Sequence, residues 1–127
     1  MIDYSKMSDF EINKAVAEKL YKDKPSLIVQ RDVPSRPAVT VFCDIGDGEI
    51  VSILCADYCN NPADAWPIVV EHGISLYHYY GNWQAEMTYD APVGAFGTDE
   101  TCSKFVDDKK PLRAAMIVFL MMKDAEK

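Results

Sequence analysis

The chain has 127 residues, a hydrophobic share of 49%, a charged share of 26% and a formal net charge of −7. That length suffices for one domain, 1–127, whose core needs no disulfide or metal, and the composition is ordinary for a soluble globular protein. The acidic balance argues against a phosphate-backbone binder, which needs clustered Lys and Arg, and leaves room for an acidic partner-binding surface, including a nucleic-acid mimic.

The start, from Met1 to Lys6, has neither a basic n-region nor an apolar h-region, so a cytoplasmic location is expected. Thiols are reduced there, and Cys43, Cys55, Cys59 and Cys102 are expected to be free. Ser8 and Glu11 have the spacing of a capping box, with Met7 and Ile12 at the staple positions around it. They predict a helix over about 9–21 with Ile12, Val16 and Leu20 on one stripe and Ala15 beside it. Asn13, Lys14, Glu18 and Lys22 fall on the other side, which makes the helix an amphipathic cover for a sheet or helix pair.

Pro25 marks the exit. Residues 26–31 read as a strand, ended by a segment whose Pro34 and Pro37 forbid regular pairing. Residues 38–43 are β-rich and form the next strand, 44–49 a turn with Asp and Gly at permissive positions, and 50–55 a third strand buried on both faces.

The densest signal runs from Asp57 to Val70. Asn61 is a good N-cap, Pro62 suits the first helical position and Asp64 falls at N3. The helix is expected to reach about Glu71, with Gly73 as a left-handed C-cap. Pro67, past the first turn, deletes a backbone hydrogen bond and predicts a kink or a locally rewound turn. Trp66, Val69 and Val70 are expected to supply the buried face. Residues 74–79 and 83–89 then flank a hairpin turn at Tyr80–Asn82. Ile74, Leu76 and His78 alternate with Ser75, Tyr77 and Tyr79, and Trp83, Ala85, Met87 and Tyr89 alternate with Gln84, Glu86 and Thr88. One face of the hairpin is therefore expected to be buried and the other to carry polar and tyrosyl groups. Pro92, Gly94 and Gly97 break the pattern that follows, with a short strand at 101–106. Asp107 or Asp108 caps a final helix beginning near Pro111, which is apolar on every side from Ala114 to Met122. Such a helix is either a buried centre or half of an interface, and it is too short to cross a bilayer, which needs about 20 apolar residues. Leu112, Met116, Phe119 and Met122 are expected against the sheet. Ile117, Leu120 and Met121 are expected against the first helix or a second subunit, with the core favoured. The order α-β-β-β-α-β-β-α defines an α+β protein, with a mixed or antiparallel sheet and helices packed on it.

Chemistry-bearing patterns are few. Cys55 and Cys59, with His72 and His78 downstream, lack the paired close spacing of a structural zinc motif, and packed cysteines at a strand end account for them. Asp57, Asn60, Asn61 and Asp64 could hold a hard cation or act as an acid pair, but helix capping explains their spacing. Asp44, Asp47 and Glu49 look superficially like a calcium loop, but the intervening Ile and Gly break its alternate-oxygen pattern, and the segment reads as a turn. No nucleophile–base set or phosphate-cradling loop is legible, so no catalytic residue, metal or cofactor is expected. The candidate binding residues are Asp57, Tyr58, Asn60, Asp64, Trp66, Tyr77, Tyr79 and Trp83, because aromatics alternating on a sheet can stack bases or hold a partner.

Three segments together carry a family resemblance: Asp3 to Glu18, Asp57-Tyr-Cys-Asn-Asn-Pro-Ala-Asp-Ala-Trp-Pro-Ile-Val69, and Pro111-Leu-Arg-Ala-Ala-Met-Ile-Val-Phe-Leu-Met-Met122. They resemble the NinX-type proteins of lambdoid phages and prophages in enteric bacteria, a domain family of unknown function. The chain is also similar to the small phage proteins described as ABA-sandwich domains, which implies a central sheet with helices on both sides. Neither family transfers a catalytic residue. The resemblance implies a non-enzymatic phage accessory protein in the host bacterial cytoplasm that binds a host or phage macromolecule, with a homodimer as a further option. Direct nucleic-acid binding is not expected. The alternatives are a small-ligand, nucleotide-like binder using the hairpin aromatics, and a metal-dependent hydrolase.

Overall fold

A computed structural model describes residues 3–22, 28–31, 33–46, 49–91 and 100–125. After a 3-10 turn at Tyr4–Lys6 come α1 (Asp9–Leu20), β1 (Ile28–Arg31), β2 (Val39–Gly46), β3 (Glu49–Ala56) and α2 (Pro62–His72). The chain continues through β4 (Ser75–Tyr79), β5 (Asn82–Ala91), β6 (Glu100–Asp108) and α3 (Pro111–Ala125). The fold is α+β, as expected, and every strand pairing is antiparallel. Among the described residues the strands divide into two three-stranded sheets, β1-β2-β3 and β4-β5-β6, where the ABA-sandwich likeness implies one central sheet. Residues 92–99, which the sequence reads as a break in the pattern, lie outside the described residues, as do 23–27 and the turn positions Asp47 and Gly48.

Helix ends follow local chemistry. The capping box of α1 is complete: Ser8 Oγ accepts from Glu11 N–H at 3.2 Å, and the Glu11 carboxylate accepts from Ser8 N–H at 3.2 Å. Asp108 accepts from Lys110 N–H at 2.9 Å ahead of α3. The β4–β5 hairpin pairs Tyr79 with Asn82, so its turn is the two residues Tyr80 and Gly81, both at positive φ. That is the geometry whose twist matches antiparallel strands.

Helix α3 organises the packing. It touches β4, β5 and β6 on the sheet side, and α1 and α2 elsewhere, while α1 in turn rests on β1 and β2. Every residue from Ala114 to Leu120 is buried, and so is Met122, because the helix meets an apolar neighbour in each direction. This resolves the choice between core and interface: Leu120 and Ile117 belong to the core of the single chain. The expected faces are redrawn, however. Phe119 sets its ring edge-on to His72 of α2 at 4.9 Å, whereas Ile117 and Met121 border a space beside Val106 of β6. With all sides of the helix apolar, periodicity has no polar stripe from which to assign them. No helix among the described residues is long and apolar enough to cross a membrane.

Candidate binding surface

Helix α2 is set by its ends. Asn61 accepts from Ala63 N–H at 3.0 Å, and Asp64 reaches back past the cap to accept from Asp57 N–H at 2.9 Å. At the far end Gly73 adopts φ 63° and ψ 39°. There Ile74 N–H bonds the Val69 carbonyl at 3.0 Å and Gly73 N–H bonds that of Val70 at 3.4 Å, the paired closure of a Schellman motif. Between them Ala65, Ile68 and Val69 are buried. Trp66 and Val70, expected on that face, are instead 57% and 62% exposed. The helix carries apolar residues on two faces and its main neighbour is α3, so only one face finds a core to join. The other, with Ala63, Trp66, Pro67 and Val70 all exposed, is a ridge of apolar side chains in water.

Pro67 leaves α2 continuous from Pro62 to His72. It has no N–H to return to the Ala63 carbonyl four residues back, so that carbonyl lacks its usual helix partner. Both residues border a cavity of about 350 Å3. Its walls include Leu20 and Tyr21 from the end of α1, Tyr58 below, and the carboxylates Asp64 and Glu71. Tyr58 is buried, and its phenol is pushed well above its ordinary range by burial, helped by Tyr21 and the Asp64 carboxylate. Cys55 lies exposed at the same cavity, so the packed-cysteine expectation holds for Cys59 only. The Cys59 thiol is buried and pushed up to about 12, chiefly by that burial.

Beside the groove, the chain from Asp57 to Asn60 is locked to α1 by a residue the sequence places on the solvent side. Asn13 is fully buried. Its amide donates to the Pro37 carbonyl and to Asp57 Oδ1, each at 2.9 Å, and its carbonyl oxygen accepts from Cys59 N–H at 3.0 Å. All the hydrogen-bonding groups it brings inside are used, which is what makes an asparagine tolerable there. Asn60 donates to both oxygens of Asp57 at 3.1 Å and to Asp9 at 3.2 Å. Asp9 also holds Lys110, and accepts from Arg113 at 2.7 Å. Arg113 is satisfied on every side: Asp108 takes its Nε–H at 3.0 Å, and the carbonyls of Ser5 and Met7 lie at 3.2 and 2.6 Å. Burial raises the Asp9 carboxyl, but hydrogen bonds from Lys110, Asn60 and Arg113 outweigh it and leave the group below its ordinary range. Asp9, Asn13, Lys110 and Arg113 were not among the sequence-derived candidates. The one legible sign was Arg113, a charge at the head of an otherwise apolar helix.

The remaining candidates sit on the β4-β5-β6 sheet. The register aligns Leu76, Ala85 and Val106 on the face toward α3. On the outer face it aligns Ser75, Glu86 and Phe105 in one row, and Tyr77, Gln84 and Asp107 in the next. Tyr77, Tyr79 and Phe105 are exposed there, and the Tyr79 hydroxyl donates to Asp107 at 3.3 Å. Trp83 belongs to the opposite face, where it packs on His78 at 4.8 Å, so it cannot stack a ligand together with Tyr77 and Tyr79. The candidates therefore separate: Asp57, Tyr58, Asn60, Asp64 and Trp66 lie around α2, Tyr77 and Tyr79 on the outer sheet face, and Trp83 on the opposite face of that sheet.

The segments that meet at Asp9, Asp57–Asn60 and Arg113 are those that carried the family resemblance. No curated protein matches the chain. A family model described as bacteriophage P22, NinX matches residues 3–123, nearly the whole chain, and the protein is a member of the NinX family of phage proteins.

Proposed function

We propose that this phage accessory protein is non-enzymatic and acts in the host bacterial cytoplasm by holding a protein partner on the exposed face of α2. One observation carries the reading. Trp66 and Val70 stand next to each other in solvent on a helix whose ends are fully capped, continued by Ala63 and Pro67. Exposed apolar patches that a fold leaves uncovered mark interaction sites, and tryptophan is among the residues that dominate binding energy at interfaces. The net charge of −7 supports a protein partner over direct contact with nucleic acid. The test is capture from phage-infected or prophage-bearing cells with the wild type and a Trp66→Ala/Val70→Ala variant. A partner recovered with the wild type and lost with the folded variant supports the reading. Repeated recovery of the protein alone, or equal recovery with both, refutes it.

The outer sheet face favours a second reading, a site that sequesters a planar, nucleotide-like ligand on Tyr77 and Tyr79. A ligand at about a hundred times its Kd stabilises by about 2.7 kcal/mol, so a thermal-shift screen with nucleotides decides it. No shift with any nucleotide removes this reading.

A further inference from the structure

Resting on the α2 reading above, we infer that the partner segment held there is a basic one: apolar side chains lie against Trp66 and Val70, and a Lys or Arg side chain enters the groove between Tyr58 and Glu71. The groove offers carboxylate acceptors beside aromatic residues to whatever enters it. Asp64 and Glu71 line it as carboxylates, the Ala63 carbonyl lacks a helix N–H partner because residue 67 is proline, and Tyr21 and the buried Tyr58 are among its lining residues. No Lys or Arg is among the described residues lining it. A cation is attracted both to carboxylates and to the face of an aromatic ring. A phosphate or carboxylate would instead be set beside two like charges, which disfavours an anionic occupant. The same charge argues against a second copy of the chain, since two ridges meeting face to face would bring Asp64 and Glu71 of each toward those of the other, between bodies of net charge −7. The Tyr58 phenol, held protonated chiefly by burial and further by Tyr21 and the Asp64 carboxylate, is a neutral lining residue.

The experiment uses the full chain and two fluorescently labelled amphipathic helical peptides of equal length, one built from Leu and Lys, the other from Leu and Glu, read by anisotropy. The Leu/Lys peptide is expected to bind, to weaken as salt rises, and to lose about tenfold or more in affinity with Glu71→Lys and with Trp66→Ala. Glu86→Lys, an identical charge change on the outer face of the other sheet, is expected to leave it within about twofold. Equal binding of both peptides, preference for the Leu/Glu peptide, or equal losses with Glu71→Lys and Glu86→Lys overturns the inference. Sedimentation showing that the chain self-associates through Trp66 does so as well. A cellular partner lost with Trp66→Ala/Val70→Ala but retained with Glu71→Lys leaves the ridge as a binding site and removes the cationic assignment alone.

Discussion

Replacing Arg113 with methionine tests the polar junction that ties both ends of the chain to its middle. The Arg113 side chain is 10% exposed, with Asp108 and Asp9 at 18% and 22%. It is the donor that serves both carboxylates and the Ser5 and Met7 carbonyls. Methionine keeps much of the volume and removes every donor. Breaking a buried ion pair by deleting one partner costs about 3–5 kcal/mol, because the other charge is left desolvated. Here Asp9 keeps Lys110 and Asn60, and Asp108 keeps the Lys110 N–H, so the lower end applies, about 3 kcal/mol. Against a typical total of about 5–15 kcal/mol this is a large fraction, and for a chain of this size it lowers Tm by roughly 10 °C. Urea unfolding followed by circular dichroism measures it. In a double-mutant cycle with Asp108→Asn, the coupling is expected near 1.5 kcal/mol or above. Arg113→Lys rescues only part of the loss, since one ammonium cannot replace a planar fork with several donors. A loss for Arg113→Met below about 1 kcal/mol, or strict additivity with Asp108→Asn, would refute a cooperative buried network.

Three further outcomes follow from the same geometry. The Asp9 carboxyl is held below its ordinary range in the fold. Its contribution to stability is therefore complete above the unfolded pKa near 4 and is lost as pH falls through the lower folded value; urea midpoints across pH should drop below about pH 4, and Asp9→Asn should flatten that limb while lowering stability at neutral pH. Leu120 is fully buried in α3, so Leu120→Ala costs about 2–5 kcal/mol with no change in sedimentation, and Leu120→Glu unfolds the chain; a folded Leu120→Glu protein of altered oligomeric state would show that the residue faces a subunit. Tyr80 holds φ 48° at the β4–β5 turn and is 97% exposed. Asparagine accepts that conformation more readily, so Tyr80→Asn should stabilise by about 0.5 kcal/mol in thermal unfolding, and a loss of stability would indicate that the Tyr79–Tyr80 ring contact outweighs the backbone preference.

The features legible in the amino-acid order are those whose chemistry is local. Ser8 with Glu11, Asn61 ahead of Pro62, and Gly73 at the close of α2 each set a helix end from within a few residues. The alternation on either side of Tyr80 and Gly81 likewise specifies a hairpin without reference to the rest of the chain. The all-apolar run from Ala114 to Met122 required a centre to bury it, and α3 is that centre. Which side of an element faces inward was decided only by tertiary packing. Asn13 looked like a solvent residue because its own helix offers it no partner; the Pro37 carbonyl, Asp57 and Cys59 N–H come from other parts of the chain and together make its burial favourable. Trp66 and Val70 looked like core because an apolar side chain is buried wherever an apolar neighbour exists, and the neighbours of α2 cover Ala65, Ile68 and Val69 instead. Arg113 has Asp108 close by in the chain, but its role also depends on Asp9 and the Ser5 and Met7 carbonyls arriving from the far end of the sequence. Local bonds are encoded by spacing along the chain. Burial and charge pairing depend on what the folded chain brings alongside, and that is where the candidate surface on α2 lies.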